Sequence, residues 1–169
     1  MIKNIVLVGM MGCGKSTVGK FLADNLPGFK FVDIDEEIEK SVQKKISEIF
    51  LKHGERFFRM LETDKIKEVC KEKMQIISVG GGAFENEENR KLMLDNALTI
   101  YLMASAEEIY ERIKNETHRP LLRKDFSVEK IASILQKREV NYKKAHKLID
   151  TTGKLPAVVV KEIIEVVYG

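Results

Sequence analysis

The chain has 169 residues, 44% of them hydrophobic, with 29 lysines and arginines against 26 aspartates and glutamates. This length suits one domain with a buried core, and the nearly even charge argues against a general nucleic-acid binder. Two cysteines, no signal peptide and no apolar run of bilayer length lead us to expect a cytoplasmic protein that contacts no membrane. We also expect a monomer.

Short apolar runs rich in β-branched residues predict five strands, and longer stretches of helical composition separate them. Continuous apolar strands that alternate with helices are typical of a parallel sheet covered on both faces. The predicted fold is therefore α/β with three layers and a five-stranded parallel sheet. The predicted strands span residues 4–8, 29–32, 75–79, 97–102 and 147–150.

The first predicted strand leads into a complete G-x-x-x-x-G-K-[ST] motif at residues 9–16, between a predicted strand and a predicted helix as the motif requires. Its glycines let backbone N–H groups surround a phosphate, and the helix N-terminus adds partial positive charge. We expect Lys15 to reach the β- and γ-phosphates of a nucleotide and Ser16 to bind Mg²⁺. Cys13 is more simply a small filler than a redox group. The predicted phosphate-binding residues are Gly12, Cys13, Gly14, Lys15, Ser16 and Thr17.

A P-loop alone does not distinguish kinases from GTPases and motor ATPases. A GTPase needs a D-x-x-G switch followed by an N-K-x-D motif that reads the base. The one D-x-x-G match, residues 150–153, has 16 residues after it, too few for a base reader. We therefore interpret that match as chance and favour a kinase.

Two further motifs follow predicted strands, where ligands of open parallel sheets bind. Residues 33–35, Asp-Ile-Asp, supply either the carboxylates of a site or, with Glu36, a D-x-x-E helix cap. Residues 80–82 are three glycines, which predict close approach of the backbone to a ligand or a neighbouring strand, against a flexible loop without contacts.

Charged residues in the segment 54–62, GERFFRMLE, fall on a face that should pack into the core. On a helical wheel, Glu62 lies inside the apolar arc around Phe58, and Arg59 lies at its edge. A buried charge needs a partner, and residues three apart can pair. Arg59 and Glu62 form either a purely structural ion pair or a guanidinium held in place for a ligand.

Two basic features follow later in the chain. Residues 117–125, THRPLLRKD, interrupt the helical pattern and are either a basic surface loop or a mobile segment that carries an arginine to the γ-phosphate. Arg138 and Tyr142 share a face of the next helix, where Arg138 is either solvated or a second cation aimed at the site. The last helix, near 156–168, has Pro156 in its first turn.

In this order, the P-loop, D-x-D, G-E-x-x-F-R-x-x-E, the glycine triplet, R-P-L-L and R-x-x-x-Y resemble the shikimate kinases over nearly the whole chain. The resemblance implies one P-loop kinase domain over 1–169, with a mobile lid at about 115–126 and acceptor-binding helices at about 33–62. It implies ATP-dependent phosphorylation of the 3-hydroxyl of shikimate with Mg²⁺, in aromatic amino acid biosynthesis. A kinase for another hydroxy acid such as gluconate, or for a nucleoside monophosphate, is the alternative, and a non-catalytic nucleotide sensor is a remote one.

The resemblance also implies a role for each matching residue. Asp35 would be the base that contacts the acceptor hydroxyls, and Asp33 would reach Mg²⁺ through water. The implied catalytic residues are Asp35, Lys15 and Arg119. The implied substrate-binding residues are Asp35, Arg59, Gly80, Gly81, Gly82 and Arg138, and the ATP site gains Arg112, Arg119 and Pro156.

Overall fold

A computed structural model describes residues 2–115 and 127–169. Within them the strands are β1 (Asn4–Val8), β2 (Lys30–Asp33), β3 (Gln75–Ser78), β4 (Leu98–Met103) and β5 (Lys147–Asp150). The helices are α1 (Lys15–Asn25), α2 (Ile34–Val42), α3 (Ile46–Lys71), α4 (Glu87–Asn96), α5 (Ala106–Ile113), α6 (Val128–Tyr142) and α7 (Pro156–Tyr168), and a 3-10 turn spans Ala83–Glu85.

The strands form one parallel sheet in the order β2-β3-β1-β4-β5, which confirms the predicted five-stranded parallel sheet. The predicted bounds of β2 and β4 are one residue early. Asp33 is the last residue of β2 and pairs with Ser78 of β3, so the hydrogen-bonded ladder runs one residue past the apolar run. β3 likewise ends at Ser78 rather than at residue 79.

Two hydrophobic clusters cover the two faces of the sheet and make the three layers. Side chains of β1 alternate between them, because successive residues of a strand point to opposite faces. Ile5 and Leu7 pack with buried residues of α1, α5 and α7, whereas Val6 and Val8 pack with α2, α3 and α4. Each fully buried aliphatic side chain stabilises the fold by roughly 1.5–3 kcal/mol.

The helix α3 bends at Gly54, directly before the segment that carries Arg59. Gly54 has φ 82° and ψ 171°, a backbone conformation that residues with a Cβ atom rarely adopt. The space around its Cα is open, so the backbone angles rather than crowding require glycine here. The helical segment after Gly54, which carries Arg59, therefore runs in a different direction from the segment before it.

The carboxyl ends of three neighbouring strands bring the predicted motifs to one edge of the sheet. The P-loop follows β1, the Asp-Ile-Asp segment spans the end of β2, and the glycine triplet follows β3. This is the edge at which open parallel sheets bind ligands. None of the helices formed by 2–115 and 127–169 has the length and apolar composition that crossing a bilayer demands.

Candidate active site

A cleft of about 750 Å³ opens at this edge of the sheet. Most of the predicted site residues line it, and they come from the P-loop, the start of α2, the glycine triplet, α5 and α7. Gly82, the third residue of the triplet, does not line it, and neither do Arg59 and Arg138, which lie beside the triplet. Arg119 and nearly all of the predicted lid lie outside the described residues. The predicted residues that line the cleft are Gly12, Cys13, Gly14, Lys15, Ser16, Thr17, Asp33, Asp35, Gly80, Gly81, Arg112 and Pro156.

The P-loop is organised around the buried ammonium group of Lys15. Its Nζ donates to the carbonyl oxygens of Gly9 at 2.8 Å and Met10 at 3.0 Å. Gly14 precedes α1 with φ 101° and without a side-chain cap, so the first N–H groups of α1 are open to an anion. The thiol of Cys13 is buried, in agreement with its interpretation as a filler.

Asp33 makes two contacts at once, so the two interpretations of the Asp-Ile-Asp segment are compatible. Its Oδ1 accepts a hydrogen bond from the backbone N–H of Glu36 at 3.2 Å and caps α2. Its Oδ2 accepts from the hydroxyl of Ser16 at 2.8 Å, which joins β2 to the P-loop.

This pair of oxygen donors fits Mg²⁺, which binds a few protein oxygens and completes its shell with phosphate oxygens and water. No cluster of three or more histidine, cysteine, aspartate or glutamate side chains suited to a metal ion occurs in the described part of the chain. Ser16 and Asp33 supply two oxygen atoms and leave the rest of a coordination shell to phosphate oxygens and water, which suits an ion that arrives with a nucleotide.

The carboxyl group of Asp35 lies in surroundings that disfavour its charged form. Its Oδ1 is buried without a hydrogen-bond partner among the described residues. Burial, followed by the charges of Glu62 and Asp33, raises its pKa to about 7, against the opposing effects of Lys15 and Arg59. A carboxylate with a pKa near neutrality is suited to accept a proton from a hydroxyl group.

Arg59 and Glu62 form the ion pair that their spacing predicted. Arg59 Nη1 donates to Glu62 Oε1 at 2.9 Å, and Arg59 Nη2 donates to Glu55 Oε1 at 3.2 Å. Glu62 is fully buried, and its Oε2 has no partner among the described residues. Burial raises the pKa of Glu62, whereas the neighbouring Arg59 and Arg138 lower it.

The glycine triplet is the surface on which these side chains meet. A methyl group added to Gly80 would lie 3.1 Å from Glu62 Oε2 and 3.3 Å from Asp35 Oδ1. On Gly82 it would lie 2.5 Å from Arg59 Nη2. A side chain at these positions would displace the ends of the surrounding charged side chains, so the triplet is not a loop without contacts.

Arg138 reaches the same triplet from α6, on the other side of the site from α3. Its Nη1 lies 3.0 Å from the position of a methyl group on Gly81 and 3.9 Å from the sulfur of Met10. Two guanidinium groups from distant parts of the chain thus converge beside the P-loop. Arg138 is partly buried, and its role as a second cation aimed at the site stays a prediction.

At the other end of the cleft, Arg112 connects the P-loop to the segment after β5. Its Nη1 donates to the carbonyl of Gly12 at 3.2 Å, and its Nη2 donates to that of Thr151 at 3.4 Å. Glu108 accepts from Arg112 at 2.5 Å and, with its other oxygen, from the N–H of Gly153 at 2.8 Å. Glu108 is not among the residues that the sequence motifs predicted for the site. Its spacing of four residues from Arg112 was the available signal.

Comparison with known proteins agrees with this geometry. The family model for shikimate kinase matches residues 11–168. A shikimate kinase of Thermodesulfovibrio yellowstonii is 46% identical over 164 residues, which cover 97% of this chain and 94% of the relative. One of Geobacter metallireducens is 43% identical over 168 residues, covering 99% and 93%.

A solved structure of shikimate kinase from Acinetobacter baumannii in complex with shikimate superimposes with a TM-score of 0.95. It is 34% identical to this chain, and the match covers 99% of this chain and 94% of that one. The P-loop kinase fold is thereby confirmed together with the resemblance of the motifs. The chain belongs to the shikimate kinase family.

Proposed function

We infer that this chain transfers the γ-phosphoryl group of ATP to the 3-hydroxyl of shikimate, giving ADP and shikimate 3-phosphate in aromatic amino acid biosynthesis. Family membership supports the reaction. The observation that carries the proposal at the level of residues is the convergence of Arg59, Arg138 and Asp35 on the glycine triplet beside the P-loop. A phosphate-binding loop and a cationic acceptor pocket with a carboxylate at its edge are the parts that the reaction needs.

The acceptor pocket suits a carboxylate that carries hydroxyl groups. Guanidinium groups bind carboxylates in a planar, bidentate geometry that lysine does not offer. Arg59 is already paired with Glu62 and Glu55, whereas Arg138 forms no ion pair with another described residue, so Arg138 is the guanidinium left to bind an anionic acceptor. Glu62 holds Arg59 in place, and the absence of side chains on Gly81 and Gly82 leaves space for the two guanidinium groups.

Asp35 is our candidate for the group that orients the reacting hydroxyl and takes its proton. As the new bond forms between the hydroxyl oxygen and the γ-phosphorus, the bond from that phosphorus to the bridging oxygen breaks. ADP leaves with the electron pair of that bond, and the hydroxyl proton passes to Asp35. The raised pKa of about 7 matches this task near neutral pH.

The P-loop and the lid supply the positive charge that phosphoryl transfer requires. We propose that Lys15 and the N-terminus of α1 bind the β- and γ-phosphates, that Arg112 and Pro156 contact the adenine, and that Arg119 meets the phosphates. Ser16, and Asp33 through water, would hold Mg²⁺, which neutralises phosphate charge when bound. We further propose one kinase domain over 1–169, acting as a cytoplasmic monomer without nucleic acid.

The test is turnover with shikimate as the sole acceptor, followed by coupled ADP detection and mass analysis of the product. We expect ADP release that depends strictly on shikimate and matches the amount of shikimate 3-phosphate formed. A reaction without acceptor measures background hydrolysis, and Asp35→Asn serves as an impaired control.

Parallel reactions with gluconate and with nucleoside monophosphates address the alternatives. Faster turnover of one of these than of shikimate would overturn the substrate assignment. ATP binding without transfer to any acceptor would favour a nucleotide sensor instead.

A further inference from the structure

Tyr142 is the part of the R-x-x-x-Y motif that phosphoryl transfer leaves without a role. It ends α6, one turn after Arg138, and it is fully buried. Its hydroxyl donates a hydrogen bond to the carbonyl oxygen of Gly81. Burial raises the pKa of this phenol against the smaller, opposing effect of the neighbouring Arg138, whose charge and hydrogen bond act on the same hydroxyl, so the hydroxyl keeps its proton and remains a donor at neutral pH.

The ring of Tyr142 also has a packing partner. It stacks on Tyr101 of β4, with ring centroids 4.8 Å apart and 27° between the ring planes. Burial of a hydroxyl group is unfavourable unless a hydrogen bond compensates for the lost water. A phenylalanine would fill this space without burying a hydroxyl group. The presence of the hydroxyl therefore indicates that its hydrogen bond to Gly81 has a function.

Gly81 is the residue at which α6, the triplet and the P-loop meet. A methyl group on it would lie 3.0 Å from Arg138 Nη1 and 3.3 Å from the backbone nitrogen of Met11. The hydrogen bond from Tyr142 fixes the direction of the Gly81 carbonyl. Because a trans peptide is planar, it also fixes the N–H of Gly82 on the opposite side.

We propose that Tyr142 is a positioning residue for the acceptor, which it serves by holding the Gly81 peptide and by orienting the neighbouring Arg138 to bind the carboxylate. Without the phenol oxygen, the Gly81 carbonyl loses its donor, and Arg138 Nη1 is the neighbouring group that can turn to it. The guanidinium would then be drawn away from the acceptor. This inference rests on the proposed function.

The test compares Tyr142→Phe with Tyr101→Phe, which removes the hydroxyl of the equally buried stacking partner. We expect Tyr142→Phe to raise the KM for shikimate about tenfold and to change the KM for ATP by less than about twofold. Tyr101→Phe should change either KM by less than about twofold. Equilibrium binding of shikimate by calorimetry, well below each unfolding midpoint, separates affinity from loss of folded protein.

A double-mutant cycle asks whether Tyr142 acts through Arg138. In an Arg138→Ala background, adding Tyr142→Phe should change kcat/KM for shikimate by less than about twofold, because the group it positions is gone. A merely structural tyrosine would give the same loss in both backgrounds.

Three outcomes would overturn the inference: equal effects of the two phenylalanine variants, parallel rises in both KM values, or an undiminished effect without Arg138. Failure of the wild-type protein to phosphorylate shikimate would instead overturn the proposed function. A wild type that turns over shikimate, with Tyr142→Phe indistinguishable from Tyr101→Phe, would overturn this inference alone.

Discussion

The two ends of the site are built differently. On the nucleotide side, the phosphate-binding part that we propose is a contiguous stretch, residues 9–17, whose recognition groups would be largely backbone N–H donors and one lysine. The acceptor side is assembled from side chains of α2, α3 and α6 that meet at the glycine triplet. A site made of backbone is encoded locally, whereas a site made of side chains from three helices depends on how those helices pack.

The two sides also differ in electrostatic cost. In the described residues, three buried side-chain oxygens lack a hydrogen-bond partner, and two of them, on Asp35 and Glu62, belong to the acceptor side. Such atoms destabilise a fold and are expected where function needs a ligand to complete the contacts. The P-loop, by contrast, satisfies its buried ammonium group with its own carbonyls. Variants on each side can test this difference in electrostatic cost.

The largest effect is expected on the nucleotide side, from Lys15→Ala. Loss of this charge should lower kcat by about 10³-fold, because transition-state charge on the phosphates is no longer stabilised, with little change in the affinity for shikimate. Steady-state kinetics with each substrate varied would measure it. Lys20→Ala, on the exposed face of the same helix, is the matched control. Retention of more than about a tenth of kcat by the Lys15 variant would contradict the assignment.

On the acceptor side, Arg59→Ala should lower kcat/KM for shikimate by about 100-fold and change the KM for ATP by less than about threefold. It also leaves Glu62 buried without its partner, so the free energy of unfolding should fall by about 2–3 kcal/mol. Kinetics and urea unfolding measure the two effects. Arg56→Ala, exposed on the same helix, should leave both unchanged. An equal fall in kcat/KM for ATP would contradict the assignment of Arg59 to the acceptor pocket.

A smaller effect is expected from Gly82→Ala, whose methyl group would displace the tip of Arg59. Because the end of a flexible side chain can move, the free energy of unfolding should change by less than about 1 kcal/mol, while the KM for shikimate rises about tenfold. Combining it with Arg59→Ala checks the cause. If Gly82→Ala raises the KM for shikimate as much in the Arg59→Ala variant as in the wild type, the methyl group acts through a residue other than Arg59.

The effect of Asp35→Asn on the free energy of unfolding should depend on pH. The pKa of Asp35 is raised from its ordinary value of 3.8 to about 7, so the folded protein binds this proton more tightly than the unfolded chain. Its ionisation therefore destabilises the fold increasingly as pH rises from about 4 to about 7. Asparagine should raise the free energy of unfolding by about 1–2 kcal/mol at pH 8 and give no gain below about pH 4.

Urea unfolding at several pH values would measure this pH-dependent gain. Glu36→Gln, at the exposed neighbouring position, should show no such dependence. A gain for Asp35→Asn that is the same at every pH would contradict the raised pKa. Loss of turnover in the same variant would accompany increased stability, as expected where a carboxylate is kept for function at the expense of the fold.

The sequence by itself determined the sheet, the P-loop and the family. These follow from signals that are local in the chain: continuous apolar strands, a complete phosphate-binding motif between strand and helix, and short motifs in a fixed order. The Arg59–Glu62 pair was also predictable, since it depends only on helical spacing and on which face is buried. The catalytic and binding roles of these residues stay predictions.

Only the tertiary structure decided how the distant pieces meet. It showed that Asp33 both caps α2 and contacts Ser16, and that Arg138 and Arg59 reach one glycine triplet from different helices. It also revealed the contacts of Glu108 and Tyr142, which join residues far apart in the chain. Such contacts depend on the packing angles of helices against the sheet, and no spacing within one helix encodes them.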